Sequence, residues 1–446
     1  MQIDLDAAAD LTHWIRPWWL RTLTNSLPDD PAGSVRELFA TYMPDTNIFL
    51  VRGVIKLFEP GPEAANYYVA TNGSDNASGM DIDHPFATLR KAVGLVNPGD
   101  LVYVRGGTYV VTQTVAMSRS GNAAQPIRVQ AYPGEYPVFD FSGESSGNGL
   151  NPSGNYWQLY GLEIFNTASH GLLITGNCNI VERCVTYGCR DSGTEIYTPG
   201  SYNLVVNCDS YRNYDATNHG ENADGFTAKF GVGPGNVFSG CRSWENSDDG
   251  WDLWMATNTV VISNCWSFGN GSNYWNDTAF AGDGNGFKLG GNYVPGAHRV
   301  MNCVAFGNHQ AGFDQNNNAA GPTVNQNTAW NNTSKNFNLN HGTNTTPHIV
   351  CNNLSIAGGS SDSFRAGSIL SNNSWQTASS PAAGTNDLLS VDTSFATAPR
   401  RDGGSLPETP FLRPVPNGRL VDQGADLGAP FSGSAPDLGA FETVAW

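Results

Sequence analysis

Asp224, Asp248, Asp249, Asp252 and Lys288 stand at fixed offsets from a recurring glycine-aromatic pair. One position before the glycine are Asp224, Asp249, Asn285 and Ala311. Two positions before it are Ala223, Asp248 and Gly284. Directly after the aromatic come Thr227, Asp252, Lys288 and Asp314. If the pairs stack, four carboxylates gather on two adjacent repeats, with Lys288 in the column of Asp252 one repeat further on. Carboxylates held that close repel one another unless a cation joins them. Oxygen ligands without His or Cys suit Ca²⁺ or Mg²⁺, and rigid strands with open positions for water or substrate favour Ca²⁺. Asp277 and Asp283 are further candidate ligands. A lysine beside a divalent cation binds its proton less tightly and becomes a usable general base. The expected chemistry is removal of a carbon-bound proton, acidified by a metal-bound carboxylate.

Stacked strands are what such columns require, and the sequence carries the repeat. One motif runs Asn207-Cys208-Asp209-Ser210-Tyr211-Arg212-Asn213. It recurs from Gly240, from Asn264 and from Asn302, with a degenerate copy from Gln326. Gly225-Phe226, Gly250-Trp251, Gly286-Phe287, Gly312-Phe313 and Asn336-Phe337 follow in turn. Ten residues separate Cys241 from Trp251, Cys303 from Phe313 and Asn327 from Phe337. A short repeat with period-2 alternation predicts an all-β fold, a right-handed parallel β-helix whose coils stack at about 4.8 Å. The regular coils are expected over about 155–360. Cys184, Cys208, Cys241, Cys265 and Cys303 are expected as one inward column of small core residues. Asn213, Asn246, Asn270, Asn308 and Asn332 are expected as a hydrogen-bonded ladder at a turn. Phe226, Trp251, Phe287 and Phe313 are expected as core. Two coils are longer than the rest, with insertions near 214–222 and 271–283. Long loops on a regular solenoid usually carry binding function.

Outside the repeat the chain is less regular. Pro85 to Val96 reads as a short helix capping the open end of the stack, with Leu89, Ala92, Val93 and Val96 on one face. Strands are expected at Tyr67–Val69, Leu101–Val104 and Ile127–Gln130. Residues 1–65 form an N-terminal extension, in which Trp14 to Leu20 suggests a short helix. An irregular Pro/Gly-rich tail occupies about 380–446 of a β-helix domain expected over 66–446.

Composition narrows the class. The 446 residues carry a net charge of −17 and only 14% charged side chains. That balance argues against a nucleic-acid partner, which needs a basic face. A polyanion remains possible where a cation bridges the two. The eight cysteines contain no CxxC pair, and no apolar run reaches the length of a membrane span. The partner is therefore expected to be a polyanion bridged by a cation, with no membrane, and the chain is expected to act as a monomer. Function implies secretion, although no signal peptide is visible.

The runs Gly220 to Phe226, Ser247 to Leu253 and Gly286 to Gly291 resemble the polysaccharide lyase family 9 pectate lyases. Weaker support comes from Tyr68 to Asp75, Asp100 to Tyr109 and Ala435 to Ala440. The resemblance covers about 66–446 and implies a ten-coil β-helix, calcium dependence and β-elimination of polygalacturonate. Carried over by position, it implies Asp224, Asp248, Asp249 and Asp252 as calcium ligands and Lys288 as the Brønsted base. Lys288 would take the C5 proton of a uronate, giving a 4,5-unsaturated sugar, with an alkaline rate optimum because the base must be neutral. Lys229, Arg242, Arg299 and His309 are candidate partners for further uronates. Tyr274, Trp275 and Phe280 are candidate sugar platforms. The competing readings are a lyase or C5-epimerase for another uronate polymer, a two-carboxylate hydrolase and a non-catalytic glycan-binding β-helix.

Overall fold

The computed structural model describes residues 39–43, 48–52, 64–340, 346–376, 382–429 and 431–443. Phe39–Met43 and Ile48–Arg52 pair as an antiparallel hairpin, which the sequence reading missed. The helix expected around Trp14 lies outside the described residues.

From Tyr67 the chain winds as a right-handed parallel β-helix. Three parallel sheets of 12, 10 and 10 strands run along it. The first sheet extends from Tyr67–Val69 to Ile369–Ser371, the second from Gly107–Val110 to Leu354–Ile356 and the third from Val115–Ala116 to Ser363–Phe364. Strands of two to five residues are enough, because every strand inside a sheet is hydrogen-bonded to the coils before and after it.

The side chains explain the register. Cys184, Cys208, Cys241, Cys265 and Cys303 are all buried, and every cysteine is a free thiol. Phe226, Trp251, Phe287, Phe313 and Phe337 stack through the core at 4.8–5.0 Å between ring centroids. At the corner between second and third sheets, the buried asparagines form a continuous chain. Nδ2 of Asn213 donates to Oδ1 of Asn246 (2.8 Å), Asn246 to Asn270 (3.0 Å), Asn270 to Asn308 and Asn308 to Asn332 (2.9 Å each). This ladder satisfies turn amides that water cannot reach and fixes the corner from which the third sheet starts. A second ladder, Asn179–Asn203–Asn236, does the same ahead of the first sheet.

The capping helix α1 is shorter than expected, Leu89–Val93, with Thr88 as its N-cap accepting from Lys91 N. Leu89, Ala92, Val93 and Val96 are buried as the spacing indicated. Residues 85–88 are held out of the helix by Asp75, whose carboxylate accepts from Ala87 N, Thr88 N and Thr88 Oγ1. The C-terminal segment lies along the second sheet. Phe411 packs on Trp266, Phe306 and Trp330, and Arg400 bonds to Asp209. That sheet is covered along this stretch, whereas the third sheet carries the pairing of Asp252 with Lys288.

Candidate active site

Register places the acidic residues. Glu195, Thr227, Asp252 and Lys288 pair successively, rung by rung, on the third sheet. At the preceding corner, Gly193 N bonds to Asp224 O, Gly225 N to Asp249 O and Gly250 N to Asn285 O. Asp224 and Asp249 therefore sit directly above one another, beside the Asp252 column. Asp224, Asp248, Asp249, Asp252, Lys229 and Lys288 are all buried.

The carboxylates form two overlapping triads. Oxygens of Asp224, Asp249 and Asp252 lie within 4.8 Å of one another, and so do those of Asp248, Asp249 and Asp283. Asp249 belongs to both. Each carboxylate is oriented by the backbone. Asp224 Oδ1 accepts from Asp249 N (3.0 Å), and Asp252 Oδ1 accepts from Trp254 N (2.8 Å). Asp249 Oδ1 accepts from Asn285 N (2.6 Å) and Nδ2 (3.0 Å). Asp248 accepts from Asn222 N (3.0 Å) and Asp283 N (2.7 Å), which ties the ends of both insertions to the site.

Lys288 Nζ lies 2.9 Å from Asp249 Oδ2, 3.5 Å from Asp252 Oδ2 and 3.8 Å from Asp283 Oδ2. Lys229 Nζ lies 2.6 Å from Asp224 Oδ2 and 3.0 Å from Asp252 Oδ2. Burial pushes the carboxyls of Asp224 and Asp249 well above the usual range, against the pull of the lysines. Asp252 is buried as well, but Lys229 and Lys288 together outweigh that burial and hold it low. Burial also opposes the Lys288 ammonium, yet Asp249, Asp252, Asp248 and Asp224 outweigh it and hold its pKa well above the ordinary value. Asp249 Oδ2 is fully buried, and the Lys288 ammonium is its near contact, with no further hydrogen-bond partner among the described residues. Buried carboxylate oxygens gathered in an all-oxygen donor set, Asp249 shared by both triads, fit a hard divalent cation.

The insertions pack into one wall. The Tyr214 and Trp275 rings stack at 4.5 Å, and Tyr214 Oη and His219 Nδ1 both reach Asp277 Oδ2 (2.7 and 3.0 Å). Asp277 is thereby committed to the wall and is not with the carboxylate cluster. Asp283, the other candidate ligand, is in the cluster, although its side chain is 60% exposed.

The remaining candidates divide. Lys229 is part of the cluster itself, where it was expected to meet a more distant uronate. Arg242 is a correction. It lies on the second sheet, bonded to Asp209 and to the carbonyls of Ala396 and Ala398 beneath the C-terminal segment. Arg299 sits on the first sheet between Val261 and Thr323, a different sheet from the carboxylate cluster. Both follow the repeat, but strand position alone does not say which of three faces a side chain occupies. His309 is exposed at the ladder corner, its N bonded to Asn270 O. Tyr274 is half exposed beside Arg212, and Phe280 lies against Gly220. Ser192, whose Oγ reaches Asp224 Oδ2 (3.2 Å), and Asn285 were missed. Both occupy the Asp224–Asp249 column and could have been read from it.

Comparison with known proteins decides the lineage. Residues 67–352 match the family described as Pel9A-like, right-handed β-helix region. The chain belongs to the Pel9A-like family. Within it, the chain is 44% identical over 391 residues to pectate lyase L of Dickeya dadantii, covering 84% of this chain and 90% of that one. It is 33% identical over 411 residues to pectate lyase PEL9 of Emericella nidulans, covering 84% and 97%. Among solved structures, pectate lyase Pel9A superposes with a TM-score of 0.80 at 43% identity, covering 84% and 96%. A rhamnogalacturonan lyase superposes at 0.71 and 30% identity, covering 79% and 96%. This Pel9A-like chain is a polysaccharide lyase, an enzyme. No helix among its described residues is long and apolar enough to cross a membrane.

Proposed function

We propose that the chain is a calcium-dependent pectate lyase that cleaves polygalacturonate by β-elimination, with Lys288 as the base. The names of its curated relatives support pectate lyase activity. The observation that carries the mechanism is the position of Lys288, one rung beyond Asp252, with its Nζ 2.9 Å from the buried Oδ2 of Asp249.

Asp224, Asp248, Asp249 and Asp252 are the residues that would hold calcium, with Asp283 at the outer edge. Bound calcium would lend positive charge to a uronate carboxylate and so acidify the C5 proton. Lys288 must be neutral to accept that proton. Its ammonium is maintained by the surrounding carboxylates, so neutralising their charge removes what outweighs burial, and burial then favours the free amine. Lys288 takes the C5 proton, the C5–H electron pair becomes the C4–C5 double bond, and the C4–O bond breaks. The leaving oxygen takes a proton from solvent. The wall built by Tyr214 and Trp275 screens one side of the reacting sugar. A monomer suffices for this chemistry, and a polymeric substrate favours action outside the cell.

The test is ultraviolet absorbance of the conjugated product on polygalacturonate, rhamnogalacturonan and alginate, with calcium and with chelator. Absorbance that grows on polygalacturonate and stops with chelator supports the proposal. A hydrolytic product without the double bond, or a rate indifferent to chelator, overturns it. Rhamnogalacturonan is included because a lyase of that name shares the fold at 30% identity. Preference for it would replace the substrate and keep the chemistry.

A further inference from the structure

The rung that carries Asp191 and Glu195 repeats the layout of the rung that carries Asp248 and Asp252. Gly171 N bonds to Ser192 O as Gly225 N bonds to Asp249 O, so Ser192 occupies the Asp249 column. Asp191 then stands where Asp248 stands, and Glu195 falls in the Asp252 column. His170, from the rung before, enters the same corner column through its carbonyl, which accepts from Gly149 N. Its Nδ1 lies 3.1 Å from Glu195 Oε2 and 3.5 Å from Asp191 Oδ1.

The proposed chemistry uses none of these groups, and their polar capacity is not filled. Glu195 is only 3% exposed at its side chain, yet its Oε1 has no hydrogen-bond partner among the described residues. Thr227 Oγ1, its neighbour on the next rung, is likewise buried without one. Leaving buried polar atoms unpaired is costly, so they mark a place where a further polar group is expected. The side chains of His170 and Asp191 are 18% and 30% exposed, which opens the corner to solvent. Burial raises the Glu195 carboxyl while His170 and Lys229 lower it, so the Lys229 charge is felt at this rung.

We propose that His170, Asp191 and Glu195 form a distal subsite that takes another sugar of the same polyuronate chain through its ring hydroxyls. The inference rests on the pectate lyase reading. Glu195 is three rungs from Lys288, about 14 Å at the usual rung spacing, so a polymer lying along the helix axis crosses both. Hydroxyls, not a carboxylate, suit the site, because two carboxylates flank one imidazole and repel a further anion. Asp191 accepts from a hydroxyl and His170 supplies a ring nitrogen. Glu195 is a positioning residue that holds the imidazole.

The experiment measures kcat and KM in calcium on galacturonate oligomers of increasing length. It compares the wild type with His170→Ala, His170→Gln and Glu195→Gln, the last nearly isosteric and so safe for folding. The ratio of kcat/KM on long over short oligomers is expected to fall about tenfold in His170→Ala, the size of one good hydrogen-bonded contact. The loss is expected in KM, with partial recovery in His170→Gln and a smaller fall in Glu195→Gln. Equal effects on long and short oligomers, or none, overturn the subsite. If the wild type releases no unsaturated product from any oligomer, the parent reading fails and the subsite fails with it. A wild type that turns over while the length ratio is unmoved sinks the subsite alone.

Discussion

Replacing Lys288 by alanine separates chemistry from folding, because the same amine serves both. Its ammonium is 2.9 Å from Asp249 Oδ2 and 3.5 Å from Asp252 Oδ2, in a buried site. Removing one partner of a buried ion pair typically costs about 3–5 kcal/mol, since a charge is left uncompensated. Two features place Lys288→Ala at the lower end, near ~3 kcal/mol. Lys229 still neutralises Asp252 at 3.0 Å, and Asn285 still donates twice to Asp249 Oδ1. In chelator the variant should therefore unfold at lower guanidinium concentration than the wild type. Calcium at a hundredfold over its dissociation constant adds about 2.7 kcal/mol to a chain that binds it, so the variant in calcium should regain about the stability of the wild type in chelator. Activity should not return. Loss of a general base costs roughly 10²–10⁴ in rate. Lys288→Arg should be stable in chelator and equally inactive, because a guanidinium does not give up its proton. Paired denaturation curves and absorbance assays, with and without calcium, make the comparison. An alanine variant that turns over at near-normal rate would remove Lys288 from the mechanism. Recovery of activity together with stability would show that the lysine only holds the site together.

Three further outcomes follow from the same contacts. Asp249→Asn keeps an acceptor for Asn285 but removes the charge shared by both carboxylate triads; calcium affinity by calorimetry should fall at least tenfold, and unchanged binding would contradict the site. Asn270→Ala interrupts the ladder, losing donation to Asn308 and Ser267 and leaving Asn246 N unpaired. It should destabilise the fold by ~3 kcal/mol, read as a lower denaturation midpoint; a neutral substitution would show the ladder to be incidental. His298 is fully buried, its Nδ1 accepting from Val260 N, and burial lowers its pKa from 6.5 to about 4. Only the unfolded chain binds that proton between those values, so stability should drop by up to about 3 kcal/mol as pH falls through the window. His298→Asn should flatten that part of the pH dependence, and an unchanged slope would refute the assignment.

The coils and their site were legible because a solenoid turns sequence offset into spatial column. Cys208 to Cys303, Asn213 to Asn332 and Phe226 to Phe313 each repeat one environment, so counting residues sufficed. The same counting put Asp224 above Asp249 and Lys288 beside Asp252. It failed where a contact is not periodic. Arg242 sits in a regular strand, but it is claimed by Asp209 and by Ala396 and Ala398 from a distant segment. No repeat announces which sheet that segment covers. Pro85 to Thr88 carry helical spacing but yield to Asp75, twelve and more residues upstream. Lys229 was expected to pair with a further uronate, whereas two buried carboxylates, Asp224 and Asp252, hold its ammonium.

A crystal structure of Lys288→Ala soaked with calcium and a galacturonate oligomer tests the central claim most directly. The account predicts one calcium ion bound by carboxylates from Asp224, Asp248, Asp249 and Asp252 and by a uronate of the ligand. The truncated side chain at 288 should then face that sugar's C5. Calcium bound elsewhere, or a sugar whose C5 lies far from residue 288, would contradict it.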